Sequence, residues 1–220
     1  MSMTLKEWHR ALPSSATHLL LMPEPIHYDT QSHLSSLQQR RILSLCGSLR
    51  QKSINRSLLT ALAMYCDESS DRESQLAFQQ FERMGELPLF NPDLETQLPA
   101  AVQALHAAIA WSDALVIASP EYAHGVTAVI KNALDWCVSL EAFVNKPVLI
   151  LQARARSQFA DAALHETLRT MSAQIINHAS VVFELDPSCF HTEGMLASSK
   201  VRQSLQNAKE LLLGASLTAV

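Results

Sequence analysis

From residue 41 onward, short apolar runs alternate with longer stretches of helical periodicity, and no other feature limits the fold so tightly. Residues 42–46, 114–119 and 147–151 have the length and apolar content of strands buried on both faces. A weaker run over 75–82 carries Leu76, Phe78 and Phe81, and a fifth covers 180–185. Between them, Leu58, Leu59, Leu62 and Tyr65 recur at helical spacing. So do Val102, Leu105 and Ile109, after a Pro99 placed where a first helical residue belongs. Val126, Val129, Ile130, Ala133, Leu134, Cys137 and Val138 form the clearest amphipathic stripe. Leu164, Leu168, Met171 and Ile175 predict the next helix, and Val201, Leu205, Ala208 and Leu212 the last. Strands alternating with helices of this length make β-α-β units, hence a parallel sheet covered on both faces. Right-handed crossovers and five strands predict a doubly wound α/β fold of order 2-1-3-4-5. In such sheets ligands bind where the strands end, at the switch point beside strands 1 and 3.

Residues 1–40 break this pattern. They carry four of the nine histidines, Pro13, Pro23 and Pro25, and no sustained periodicity. The expected organisation is an extension over 1–40, disordered or docked as an arm, followed by one domain over 41–220. A net charge of −4 without a basic run argues against nucleic-acid or membrane-surface partners. Cys46, Cys66, Cys137 and Cys189 show no CxxC or zinc spacing, so they read as reduced thiols. The apolar stretch at 19–22 is too short for a membrane span or a signal-peptide core. The expectation is a cytoplasmic protein.

Two loops carry the chemistry. The first reads Gly47-Ser48-Leu49-Arg50-Gln51-Lys52-Ser53-Ile54-Asn55, between a strand and a helix. Free helix N–H groups, hydroxyls, an amide and two cations there can converge on the oxygens of one phosphate. GxGxxG and GxxxxGK[ST] are both missing, which disfavours a dinucleotide pyrophosphate or a nucleoside triphosphate. The bland alternative is that Ser53 or Asn55 only caps the helix. The second loop reads Ser119-Pro120-Glu121-Tyr122-Ala123-His124-Gly125 and offers a shaped backbone with a flat aromatic side chain. His124 is the one candidate acid near such a ring, although a loop-shaping hydrogen bond is its simpler role.

Phosphate at one loop and a flat ring at the other are the two ends of flavin mononucleotide (FMN). Gly47-Ser48-Leu49-Arg50 with Ser53 and Asn55, then Pro120-Glu121-Tyr122 and Lys131-Asn132-Ala133-Leu134-Asp135-Trp136, resemble the NADPH-dependent FMN reductase family. The segment over 87–95 is similar too. The resemblance implies a flavodoxin-like fold, non-covalent FMN, NADPH or NADH as electron donor, and a homodimer or homotetramer. It implies that Ser48, Arg50, Ser53, Ile54 and Asn55 hold the phosphate, and that Pro120, Glu121, Tyr122 and Ala123 line the ring. After strand 4 the family often carries a small Ser/Gly/Pro-rich loop; here Gln152-Ala153-Arg154-Ala155-Arg156 is bulkier and cationic. Arg154 therefore joins the candidate cofactor-binding residues. The expected activity is electron transfer from NAD(P)H to a quinone, flavin or similar small acceptor. The alternative is a non-enzymatic FMN electron carrier docking to a protein partner. No metal site is expected.

Overall fold

The computed structural model describes residues 39–68 and 76–215. Of the expected extension over 1–40, residues 1–38 lie outside the described residues, and Arg40 already opens the first strand.

Three strands form the centre of the sheet: β1 (Arg40–Cys46), β3 (Ala114–Ala118) and β6 (Pro147–Gln152). They pair in parallel, Ser44 beside Val116 and Val116 beside Leu149. β2 (Leu76–Gln80) adds to the outer side of β1, giving the order β2-β1-β3-β6. The side-chain period of two divides these strands between two apolar layers. Ile42, Cys46, Val116 and Leu149 face one layer with α1 (Ile54–Glu68) and the C-terminal helix (Ser199–Gly214). Leu43, Leu45, Ile117 and Ile150 face the other, with α2 (Ala100–Trp111), α3 (Ala128–Asp135) and α4 (Gln158–Thr170). This is the doubly wound, flavodoxin-like arrangement that the alternation predicts. All four cysteines are free and buried, and burial pushes the thiols of Cys66 and Cys137 up to about 12.

The structure differs from the sequence reading in four places. The expected fifth strand over 180–185 is in fact two pieces: β7 (Gln174–Ile175) beside Pro147 and Val148, and β8 (Val181–Val182) beside Leu151 and Gln152. Ile176 turns into the core between them, and Asn177 and His178 at φ 61° and 52° carry the chain off the ladder. Ile175 is thus on a strand, not a helix, and α4 ends at Thr170 before Met171. A small antiparallel hairpin, β4 (Glu121–Tyr122) with β5 (Gly125–Val126), takes Val126 out of the following helix. Thr127 caps that helix by accepting from Ile130 N at 3.4 Å. The helix ends at Asp135 with Trp136 as its C-cap, and Val138 beyond it is exposed.

A clamp at the start of the sheet holds β1 to β3. Asp113 accepts from Arg41 N at 2.8 Å and from the Arg41 guanidinium, while Asp113 N donates to Arg41 O at 2.8 Å. Burial pushes the Asp113 carboxyl up, but the Arg41 hydrogen bonds and charge, with Lys146, outweigh it and hold it below its ordinary value. A depressed carboxylate contributes stability above its unfolded pKa and loses it as pH falls through the folded one. Asp113→Asn should therefore cost about 1 kcal/mol at pH 7, the Arg41 side of the pair being partly exposed. The variant should also show a weaker fall in stability below pH 3.8 than the parent, as read by denaturant melts across pH.

Candidate functional site

The sheet topology puts the loops after β1, β3 and β6 at one edge, where they enclose a cleft of ≈ 300 Å³. Its floor is set by a close approach. Gly47 N donates to Ala118 O at 2.9 Å, and a Cβ on Gly47 would stand 2.1 Å from Ser119 Oγ and 2.8 Å from Ile130 Cγ1. Only glycine lets the end of β1 lie against Ser119 in this way.

Ser48, Arg50, Ser53, Ile54 and Asn55 line one end of the cleft. Ser48, Ser53 and Asn55 are buried; Arg50 and Lys52 stand at the exposed rim. Ser53 precedes α1 and accepts from Arg56 N at 3.3 Å, so it does cap the helix. Capping uses a hydroxyl lone pair and leaves the O–H to donate, so cap and ligand contact are compatible. The N–H groups of the first turn have no intrahelical acceptor and carry the positive end of the helix dipole. Among the described residues neither Arg50 nor Lys52 has a carboxylate partner, whereas the nearby Arg56 is paired with Glu82. Below the loop, burial above all pushes the Cys46 thiol up, so it is a neutral, inert group.

Pro120, Glu121 and Tyr122 line the middle of the cleft together with Ser119. The hairpin turns through Ala123 and His124 at φ 49° and 60°, a tight turn that normally takes Asn and Gly. Ala123 and His124 lie at its tip and are not part of the cleft lining. The His124 ring instead sits 3.3 Å from Glu121 Oε1 and edge-on to Phe159, with centroids 4.5 Å apart. Ala123 thus stands at the hairpin tip beside the cleft, and the His124 ring is engaged by Glu121 and Phe159. Glu121 lines the cleft, and its carboxylate also accepts from Ala160 N at 2.8 Å. It thereby caps α4, a position Ser157 holds in sequence without making the bond.

Arg154 lines the third side, with Ala153 and Ser157. Its guanidinium lies over the Phe190 ring, Cζ 5.2 Å from the centroid. The sequence reading missed Ser119, Ala153 and Ser157 as cleft residues and did not carry Lys52 into the site. Ser157 had a usable signal, a serine directly before a periodic helix. Ala153 had none, because a small side chain announces no chemistry. Among the described residues no group of three or more His, Cys, Asp or Glu could hold a metal. No helix there is long and apolar enough to cross a membrane.

The profile of the NADPH-dependent FMN reductase family matches residues 40–187, which span every cleft-forming loop. The chain belongs to that family. It is 32% identical over 185 residues to a protein named probable NADPH:quinone oxidoreductase 1 of Oryza sativa subsp. japonica, covering 79% of this chain and 88% of the relative. An NAD(P)H-dependent FMN reductase of Pseudomonas aeruginosa is 30% identical, with 78% and 92% covered. In fold, the chain is similar to the flavoenzyme NAD(P)H:(acceptor) oxidoreductase of Paracoccus denitrificans: TM-score 0.61, 24% identity, 79% of this chain and 95% of that one. As a family member it is an FMN-dependent oxidoreductase with NAD(P)H as electron donor, and the reading as a carrier without nicotinamide chemistry gives way.

The cleft fits that cofactor. Asn55 Oδ1 is buried in the cleft lining with no hydrogen-bond partner, an acceptor that a ligand hydroxyl or N–H would satisfy, whereas a phosphate oxygen would need the amide turned to present its NH2. Because the Glu121 carboxylate serves a helix terminus, Glu121→Ala should cost about 0.5–2 kcal/mol in protein stripped of flavin. Equal stability of variant and parent in urea melts would remove the capping role.

Proposed function

We propose that this protein passes electrons from NAD(P)H through FMN to a quinone or a similar small acceptor. Support for the acceptor class comes from relatives that carry it in their names, the rice protein among them. One observation supports this placement of the cofactor: the buried Ser48 and Ser53 hydroxyls and the Asn55 amide share one cleft lining with the start of α1, whose first-turn N–H groups lack intrahelical acceptors, and with the exposed cations Arg50 and Lys52. In this reading the phosphate lies against Ser48, Arg50, Ser53, Ile54 and Asn55. The ring lies along Pro120, Glu121 and Tyr122. Bound there, FMN supplies a two-electron carrier that the nicotinamide reduces and the acceptor reoxidises. The protein's own share is placement. Hydroxyl and backbone donors fix the phosphate, Arg50 and Lys52 offset its charge, and the braced hairpin fixes the backbone beneath the ring. No side chain in the cleft is asked to store a proton, since solvent reaches the rim.

Purified protein should be yellow, bleach under NADPH without oxygen, and recover its colour on adding a quinone. Losing Arg50 removes a charge-assisted hydrogen bond worth about 1.5–3 kcal/mol. Arg50→Ala should then weaken FMN binding about ten- to a hundredfold. Riboflavin, which lacks the phosphate, should bind variant and parent alike; a parallel loss for both ligands would sink the phosphate assignment.

The reading includes a homodimer or homotetramer in the cytoplasm, where buried free thiols persist. Leu89 (81% exposed) and Val138 (66%) are apolar surface on adjoining segments, tied by Trp136 Nε1 to Pro88 O at 2.8 Å and Ser139 to Glu95 at 2.9 Å. Isolated exposed residues are ordinary, but apolar surface on adjoining segments suits a second copy. Leu89→Asp should lower the mass seen by analytical ultracentrifugation while the protein stays yellow.

A further inference from the structure

Arg154 stands apart from the other cations of the cleft. Arg50 and Lys52 follow β1, whereas Arg154 follows β6, on the far side of β3. With strands about 4.8 Å apart, the two loops begin roughly 10 Å from one another. A phosphate monoester carries about −1.5 to −2 charges, which Arg50 and Lys52 already match. Glu121 is the one carboxylate among the described cleft-lining residues, and it is engaged with Ala160 N and His124. Arg154 is therefore a positive charge in excess of what the phosphate requires.

It is also a held charge. The Phe190 face orients the guanidinium without neutralising it. Phe190 itself is on a fastened segment. Cys189 is buried, Thr192 Oγ1 donates to Ser57 O at 3.3 Å, and a Cβ on Gly194 would stand 2.1 Å from Ser188 O. The family model ends at residue 187, before Phe190. Arg154 is exposed at the rim, as is Tyr122. A mononucleotide would occupy most of a ≈ 300 Å³ cleft, so the second substrate would meet that rim.

We propose that Arg154, seated on Phe190, is a specificity residue that favours second substrates bearing an anionic group that reaches the rim of the cleft. This rests on the FMN reading above. Phe190 acts as a positioning residue, through Arg154. The anion has two sources: the 2′-phosphate that distinguishes NADPH from NADH, or an acid group on an aromatic acceptor.

The test compares FMN-loaded parent, Arg154→Ala, Arg154→Lys, Phe190→Leu and Phe190→Tyr. Two ratios of kcat/KM are read: NADPH over NADH with a neutral naphthoquinone, and a naphthoquinone sulfonate over the neutral quinone with NADH. Calorimetric affinities for adenosine 2′-phosphate and naphthalene-2-sulfonate give a readout without turnover. Arg154→Ala and Phe190→Leu should lower one ratio, and the matching affinity, about fivefold, while the conservative variants Arg154→Lys and Phe190→Tyr should keep most of it. The ratio that falls names the source. Both ratios unchanged would overturn the proposal, as would a tenfold loss of FMN affinity in Arg154→Ala, which would make the arginine a cofactor ligand. A parent that binds no FMN sinks the underlying reading, whereas a yellow parent with unchanged ratios sinks this inference alone.

Discussion

Everything at the cleft depends on how closely β1 and β3 converge where they end. Parallel strands have a fixed spacing, but the residues beyond them are free to splay, and splayed loops would share no floor. Here Gly47 bonds to Ala118 and lies against Ser119, with no room for even a methyl group. Ser119 in turn sits 3.2 Å from Thr127, the cap of α3. One close packing contact therefore couples the loop that begins α1 to the loop that begins α3. The cleft is a by-product of that coupling, and β6 with Arg154 closes its third side.

A second coupling runs sideways. Glu121 reaches from the hairpin to the first turn of α4 and so ties the wall of the cleft to the helix beside it. The hairpin needs such a brace. Two non-glycine residues at positive φ cost of order 1–2 kcal/mol each, and a free loop would relax out of that shape. Glu121 and the His124–Phe159 contact hold it. The Glu121 carboxylate fastens the hairpin to α4 while the residue lines the cleft.

These cases show what a sequence discloses. The three central strands were legible because burial on both faces demands unbroken apolar runs, and Ile42, Val116 and Ile150 obey it. The loop after β1 was legible as a cleft lining because donors and cations cluster in consecutive positions. The roles of Glu121 and Ser157 were not, because which of two polar side chains caps α4 is decided by distances across the fold. The hairpin was hidden because Ala123 and His124 carry no turn signal; their backbone is set by what braces it. The broken fifth strand was hidden for a related reason. Residues 180–185 have strand composition, and only the burial of Ile176 tells where the ladder is interrupted.

That interruption has a consequence for the protein's life among other copies of itself. The outermost strand of an open sheet presents unpaired N–H and C=O groups, and a long straight one is a template onto which a foreign strand can zip. Here the edge beside β6 is two pieces of two residues each, offset by the turn at Asn177 and His178. Neither piece offers enough consecutive bonds to hold a visitor, and the kink between them keeps the two from acting in register. The same break that obscures the strand in the sequence blunts the sheet against edge-to-edge aggregation.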